Sequence, residues 1–136
     1  MPFEMTQRLD GFTILIVDDD IDILESMELA MRAEGAETHT AEDGTAAVSV
    51  CSSVEPDAVI LDMMLPKRSG FLVLEEFASM NHPPIVVMVT ANQGKRHMAY
   101  AKSLGVASYL VKPVGLDRLI NTVSCLLHEQ VESEEQ

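Results

Sequence analysis

Four points in this 136-residue chain carry polar residues suited to phosphorus or metal chemistry, each directly after a short apolar run. Asp18, Asp19 and Asp20 follow Thr13-Ile14-Leu15-Ile16-Val17. Asp62 follows Ala58-Val59-Ile60-Leu61. Thr90 follows Ile85-Val86-Val87-Met88-Val89, and Lys112 follows Ala107-Ser108-Tyr109-Leu110-Val111. Brought together, Asp18, Asp19 and Asp62 would repel one another by several kcal/mol unless a proton, a lysine or a divalent cation neutralised them. All-oxygen ligands without His or Cys favour Mg2+. Lys112 is a mobile point charge for a phosphoryl oxygen, and Thr90 offers a hydroxyl. Carboxylate, divalent cation, lysine and hydroxyl together supply what phosphoryl transfer needs: a nucleophile, positioning and charge neutralisation.

Singly, these residues have plainer readings. Asp20 reads first as a helix N-cap and Asp22 as a first-turn partner of the helix dipole. Thr90 alone could be a cap, Tyr109 alone a half-buried core residue, and Lys112 alone a surface charge. Their joint position at the ends of apolar runs carries the functional reading. His39, His82, His97 and His128 are scattered, and no metal or catalytic role is expected of them. Met27, Met31 and Met88 read as core filler.

The elements that must position this set alternate. Thr13–Val17, Ala58–Leu61, Ile85–Val89 and Ala107–Val111 read as strands buried on both faces. Glu37–Thr40 is short and polar, so it reads as an edge strand. Between them, apolar residues recur at helical spacing: Leu24, Met27 and Met31; Ala46, Ala47, Val50 and Cys51; Leu74 and Phe77 within Gly70–Met80; Lys95–Leu104; and Leu116–Leu127. Gly35 and Gly105 mark helix ends. Five strand–helix units in order imply a doubly wound α/β fold, a parallel sheet with helices on both faces. In such a sheet, ligands bind at the carboxyl ends of the strands, where the four polar points lie.

Composition bounds the rest. The chain is 47% hydrophobic, enough for a core, and no apolar run approaches the roughly 20 residues of a membrane span. The first residues lack a secretory signal, so a cytoplasmic protein is expected. Cys51 and Cys125 form no disulfide framework or metal motif and read as two buried free thiols. Net charge is −13, and residues 1–66 account for all of it. Such a chain is not expected to bind nucleic acid or anionic membrane by bulk attraction. We expect one domain over residues 12–128, an N-terminal extension at 1–11, and a frayed acidic tail at 129–136. The chain ends soon after the last helix, so no effector domain is expected within it.

At this point the sequence resembles the receiver domain of bacterial two-component response regulators. The matching residues are Ile14-Leu15-Ile16-Val17-Asp18-Asp19-Asp20, Val59-Ile60-Leu61-Asp62-Met63-Met64-Leu65-Pro66, Gly70, Val89-Thr90-Ala91, and Tyr109-Leu110-Val111-Lys112-Pro113. The resemblance covers about residues 12–128. It implies a flavodoxin-like three-layer sandwich with strand order 2-1-3-4-5. It also implies roles. Asp62 would be the phosphoacceptor nucleophile and a metal ligand. Asp19 would bind Mg2+ directly, Asp18 directly or through water, and the Met64 carbonyl would complete the set. Lys112, Thr90 and the Ala91 amide would hold phosphoryl oxygens. The Lys112–Pro113 bond would be cis. Tyr109 would be the switch aromatic, turning inward as Thr90 moves. Val114 follows Pro113 where the family commonly has Phe, and Val106-Ala107-Ser108 lacks the acidic pair of many DNA-binding regulators.

The implied chemistry is attack of Asp62 on a phosphohistidine of a histidine kinase or histidine phosphotransferase. The chain has no GxxxxGK[ST] loop for ATP and is not expected to be an enzyme in the ordinary sense. The implied output is a protein target at the face of the fourth helix, fifth strand and fifth helix, where Lys95, Arg96, Lys102, Lys112 and Arg118 lie. Met64 and Asn92 flank the approach of a hydrolytic water, and their chemistry predicts a long-lived acyl phosphate.

Three alternatives share the architecture. A flavodoxin-like cofactor binder needs a Ser/Thr/Gly-rich loop where Asp18-Asp19-Asp20 stands. A metal-dependent phosphatase wants an acid where Met64 stands. A degenerate receiver acting only by protein contact would not need Asp19, Asp62, Thr90 and Lys112 together.

Overall fold

The structure is a computed structural model that describes residues 7–91 and 94–135. Ten elements alternate along the chain: β1 Thr13–Val17, α1 Ile21–Ala33, β2 Glu37–Ala41, α2 Gly44–Val54, β3 Ala58–Leu61, α3 Gly70–Ala78, β4 Ile85–Thr90, α4 Lys95–Ser103, β5 Ser108–Val111 and α5 Leu116–Glu135. All strand pairs are parallel, in the order β2-β1-β3-β4-β5. Polar β2 lies at one edge, as its sequence predicts.

Side-chain alternation divides the core into two layers. Ile14, Ile16, Ala58, Ile60, Val87, Val89 and Leu110 face α1 and α5, meeting Leu24, Met27, Met31, Leu119, Val123 and Leu127. The intervening residues Leu15, Val17, Val59, Leu61, Val86 and Met88 face α2, α3 and α4, meeting Ala47, Cys51, Val73, Leu74, Phe77 and Ala101. The central strands are therefore apolar at every position, because both faces are covered. Burial of each large aliphatic side chain contributes about 1.5–3 kcal/mol.

Helix starts follow local chemistry. The Asp20 carboxylate accepts from the backbone N–H of Asp22 and Ile23, so it caps α1. Asp43 caps α2 through Ala46 N–H, and Ser69 caps α3 through Leu72 N–H. Gly35, at φ +92°, ends α1 in the left-handed region.

Three expectations need correction. Leu9 is fully buried in the α1–α5 layer, and its N–H donates to the Glu34 carbonyl. The segment from residue 7 therefore belongs to the packed domain, which does not begin at residue 12. Arg8 fastens it, donating from Nε to Glu34 Oε1 (3.0 Å) and bonding Asn121. At the other end, α5 continues as helix through Glu135, and residues 129–134 are solvated but not frayed. His128 anchors the last turns, with Nε2 3.0 Å from the Arg8 carbonyl and its ring edge-on to Phe12. Finally, Cys51 is buried but Cys125 is exposed. Along a helix, residue 125 lies about 200° from Val123 and Leu127, which puts it on the wet face. Burial pushes the Cys51 thiol up to about 11.

Candidate functional site

Strand register builds the site. Val17 pairs with Leu61, so the residues that follow, Asp18 and Asp62, leave adjacent strands side by side. Thr90 pairs with Val111, so Lys112 leaves β5 next to the end of β4, its N–H donating to the Thr90 carbonyl at 2.8 Å. The Lys112–Pro113 bond is cis.

Lys112 bridges the two buried acids. Its Nζ donates to Asp18 Oδ2 at 2.8 Å and to Asp62 Oδ2 at 3.1 Å. The other oxygen of each acid accepts a backbone N–H two residues on: Asp20 N–H to Asp18 Oδ1 at 2.9 Å, Met64 N–H to Asp62 Oδ1 at 3.1 Å. Asp18 is 1% exposed and Asp62 6%, so each carboxylate is held where water barely reaches it. Burial pulls the Lys112 ammonium down, but the hydrogen bonds and charges of Asp18 and Asp62 outweigh it and hold it above the ordinary lysine value. The lysine therefore stays charged.

Asp19 completes the cluster from the exposed side. Ligand oxygens of Asp18, Asp19 and Asp62 all lie within 4.8 Å of one another. Three acids against one ammonium leave a negative site of hard oxygens open to solvent through Asp19. That donor set fits a hard divalent cation that keeps part of its water shell. Met64 is 64% exposed beside Asp62.

Thr90 and Tyr109 stand on the other parity of the sheet. Val87 and Val89 face the α1–α5 layer, so Thr90 points with Val86 and Met88 toward the α2–α4 layer. Tyr109 pairs with Met88 and packs half-buried against that same layer. Thr90 and Tyr109 are thus diagonal neighbours on one face. Thr90 is fully buried, while Ala91 is exposed. Asn92 lies outside the described residues.

These features have known counterparts. A family model described as the response regulator receiver domain matches residues 14–124. The chain belongs to the response regulator receiver domain family. The transcriptional regulatory protein PrrA of Mycobacterium leprae is 33% identical over 117 residues, 86% of this chain and 50% of PrrA. Response regulator MprA of Mycolicibacterium vanbaalenii is 32% identical over 114 residues, 84% of this chain and 49% of MprA. The chain spans about half the length of these curated relatives. A CheY-like response regulator receiver domain protein from Methanospirillum hungatei superposes with a TM-score of 0.86 at 26% identity, covering 92% of this chain and 98% of that one. This receiver is accordingly a phosphoacceptor signalling module, the family's general role, and the cofactor-binder reading is not favoured. Among the described residues, no helix is long and apolar enough to cross a membrane.

Sequence reasoning missed the contacts that brace the β3–α3 loop. Lys67, at φ 69°, lies 3.4 Å from Asp43, the cap of α2, and Gly44 N–H donates to the Pro66 carbonyl. A Cβ on Gly44 would sit 2.5 Å from Arg68, so glycine permits that close approach. A lysine with positive φ has no signature in composition or periodicity.

Proposed function

We propose that Asp62 accepts a phosphoryl group from phosphohistidine, with Asp18, Asp19, Asp62 and the Met64 carbonyl holding Mg2+. The Lys112 bridge to Asp18 and Asp62, at 2.8 and 3.1 Å, is the observation that carries the reading. It supports a site that concentrates anionic charge and keeps one permanent cation beside the nucleophile. Mg2+ would supply the remaining charge neutralisation at the phosphoryl oxygens. Asp62 Oδ is the attacking atom: its bond to phosphorus forms as the phosphorus–nitrogen bond to the donor imidazole breaks. Lys112 has a third N–H beyond the two used on Asp18 and Asp62, and it would follow the transferred oxygen. Thr90 and the Ala91 amide would take the others. Drawing the Thr90 hydroxyl toward the edge would empty space beside Tyr109 on the shared face, and Tyr109 would turn into it.

The reading extends to partners. Donors are a histidine kinase or histidine phosphotransferase, and the receiver promotes its own phosphorylation and slow dephosphorylation. Output passes to a protein target at the α4–β5–α5 face, and not directly to nucleic acid, since the net charge of −13 repels it. Two free cysteines support a reducing cytoplasmic setting. The test is intact mass after incubation with acetyl phosphate and Mg2+. One phosphoryl group per chain is expected, and none on Asp62→Asn. Full labelling of Asp62→Asn refutes the assignment.

A further inference from the structure

At the opposite end of the sheet from Asp62, the carboxyl end of α2 and the segment that follows α3 line an open cavity of about 320 Å3. Three soft or borderline ligands line it: the Cys51 thiol, the Met80 thioether and the His82 imidazole. Cys51 Sγ lies 3.8 Å from Met80 Sδ. His82 is exposed and makes no hydrogen bond or ion pair among the described residues. We propose that Cys51, Met80 and His82 bind one monovalent copper ion.

Geometry supports a shared ion. Two metal–sulfur bonds of about 2.3 Å, meeting at a tetrahedral angle, place their sulfurs about 3.8 Å apart. The observed separation is the same, so the two sulfurs can hold one ion without moving apart. Chemistry then selects the ion. Thiolate and thioether together favour Cu(I), whereas Zn2+ and Mg2+ seek nitrogen, thiolate and hard oxygen. On binding, the Cys51 S–H bond breaks and its proton leaves to solvent. The electron pair left on sulfur forms the S–Cu bond. Met80 Sδ and an unprotonated His82 nitrogen donate lone pairs, and copper remains Cu(I) throughout. The ion would tie the last turn of α2 to the segment between α3 and β4, remote from Lys112 and the acids.

The test uses the full chain carrying Cys125→Ser, which removes the exposed competing thiol. Titrating Cu(I) anaerobically against a chromophoric Cu(I) chelator should give one ion per chain, and X-ray absorption should show sulfur and nitrogen neighbours. Adding Cys51→Ser should abolish uptake. Met80→Leu, which keeps the volume, and His82→Ala should each weaken it beyond the roughly 10–100-fold loss typical of an outer contact. All variants should still take one phosphoryl group from acetyl phosphate, which shows that they fold. The proposal is overturned if Cys125→Ser alone abolishes uptake, or if Met80→Leu and His82→Ala leave affinity unchanged. It is also overturned if Zn2+ binds more tightly than Cu(I) and is unaffected by Met80→Leu, because the cavity would then serve a harder ion through Cys51, His82 and Glu55. Failure of copper uptake with normal labelling leaves the phosphoacceptor reading intact.

Discussion

Replacing Asp19 with asparagine should stabilise the metal-free protein and remove its response to Mg2+. Asp18 and Asp62 share one ammonium, so Asp19 faces a buried group of net charge near −1. Its ligand oxygen lies within 4.8 Å of theirs. At that distance one like-charge pair costs about 3.5 kcal/mol at an effective dielectric of 20 and about 0.9 kcal/mol in water. Asp19 is exposed, so the lower figure governs, and its removal should stabilise by about 1 kcal/mol. For a domain of this size that raises Tm by about 3–5 °C. The wild type, in contrast, gains about 1.4 kcal/mol from Mg2+ at ten times the dissociation constant, because the ion binds the folded state alone. Calorimetry with and without Mg2+ measures both quantities. The variant should melt higher than wild type in chelator and shift less when the ion is added. A variant that melts lower in chelator while keeping the full Mg2+ shift would refute both the repulsion and the ligand assignment.

Three further outcomes follow from particular contacts. The Arg8 hydrogen bond holds the Glu34 carboxyl below its ordinary value of 4.5 against the opposing effect of burial. Its contribution, about 1–3 kcal/mol, is therefore present above that value and lost as pH falls through the lowered pKa; Glu34→Gln should flatten the acid limb of a stability–pH curve, and an unchanged limb counts against the clamp. A thiol reagent should modify Cys125 quickly in the folded protein and Cys51 only on unfolding, read by peptide mass; equal rates would contradict the burial of Cys51 and its thiol at about 11. Met64 offers no group to orient a hydrolytic water, so Met64→Asn should speed release of phosphate from the phosphoprotein by about one to two powers of ten. A wild type that loses its phosphate within seconds would show that Met64 does not set the lifetime.

Much of the fold was legible because strands buried on both faces must be continuously apolar. Ile85–Val89 and Ala58–Leu61 announce themselves, and the first polar residue after each is forced to the sheet edge. The site inherits that logic: Asp18, Asp62, Thr90 and Lys112 are where the apolar runs stop. The N-terminal segment was harder to read. Leu9 is a single apolar residue among Gln7, Arg8, Asp10 and Gly11, with no period to reveal its burial. What holds it is tertiary: Arg8 reaching Glu34 across 26 positions and Asn121 across 113. The end of α5 fails for a related reason. Glu129, Glu132 and Glu134 read as a solvated tail and oppose the helix dipole, yet glutamate is a good helix former and His128 pins the turn before them. Cys125 shows the cost of reading residue type without helical phase.

The parity of the strands explains how chemistry at the edge can reach a surface. Asp18 and Asp62 follow Val17 and Leu61, which face the α2–α4 layer, and Lys112 lies two residues after Leu110 of the α1–α5 layer, so alternation turns all three toward the α1–α5 side. Thr90 and Tyr109 lie on the α2–α4 side. On the proposed reading, a phosphoryl group on Asp62 would not press on Tyr109 directly, and Thr90, at the edge of the opposite face, would be the link between them. The helix over that face puts little of itself into the core and is tied to α3 at its surface, where Phe71 stacks on His97 and meets Tyr100 edge-on and the Tyr100 hydroxyl donates to Glu75. Ala101 is the one buried residue of α4, whereas α3 buries Gly70, Val73, Leu74 and Phe77. A shift of α4 would lose less core burial than a movement of α3, with the contacts to Phe71 and Glu75 as what it must carry or break. A small rearrangement of Thr90 and Tyr109 can then bias α4, which carries Lys95, Arg96 and Lys102, while the rest of the sheet stays fixed. On the proposed reading, the electrostatic work would be done on one face and the conformational response would belong to the other, which is the argument for an output at α4, β5 and α5.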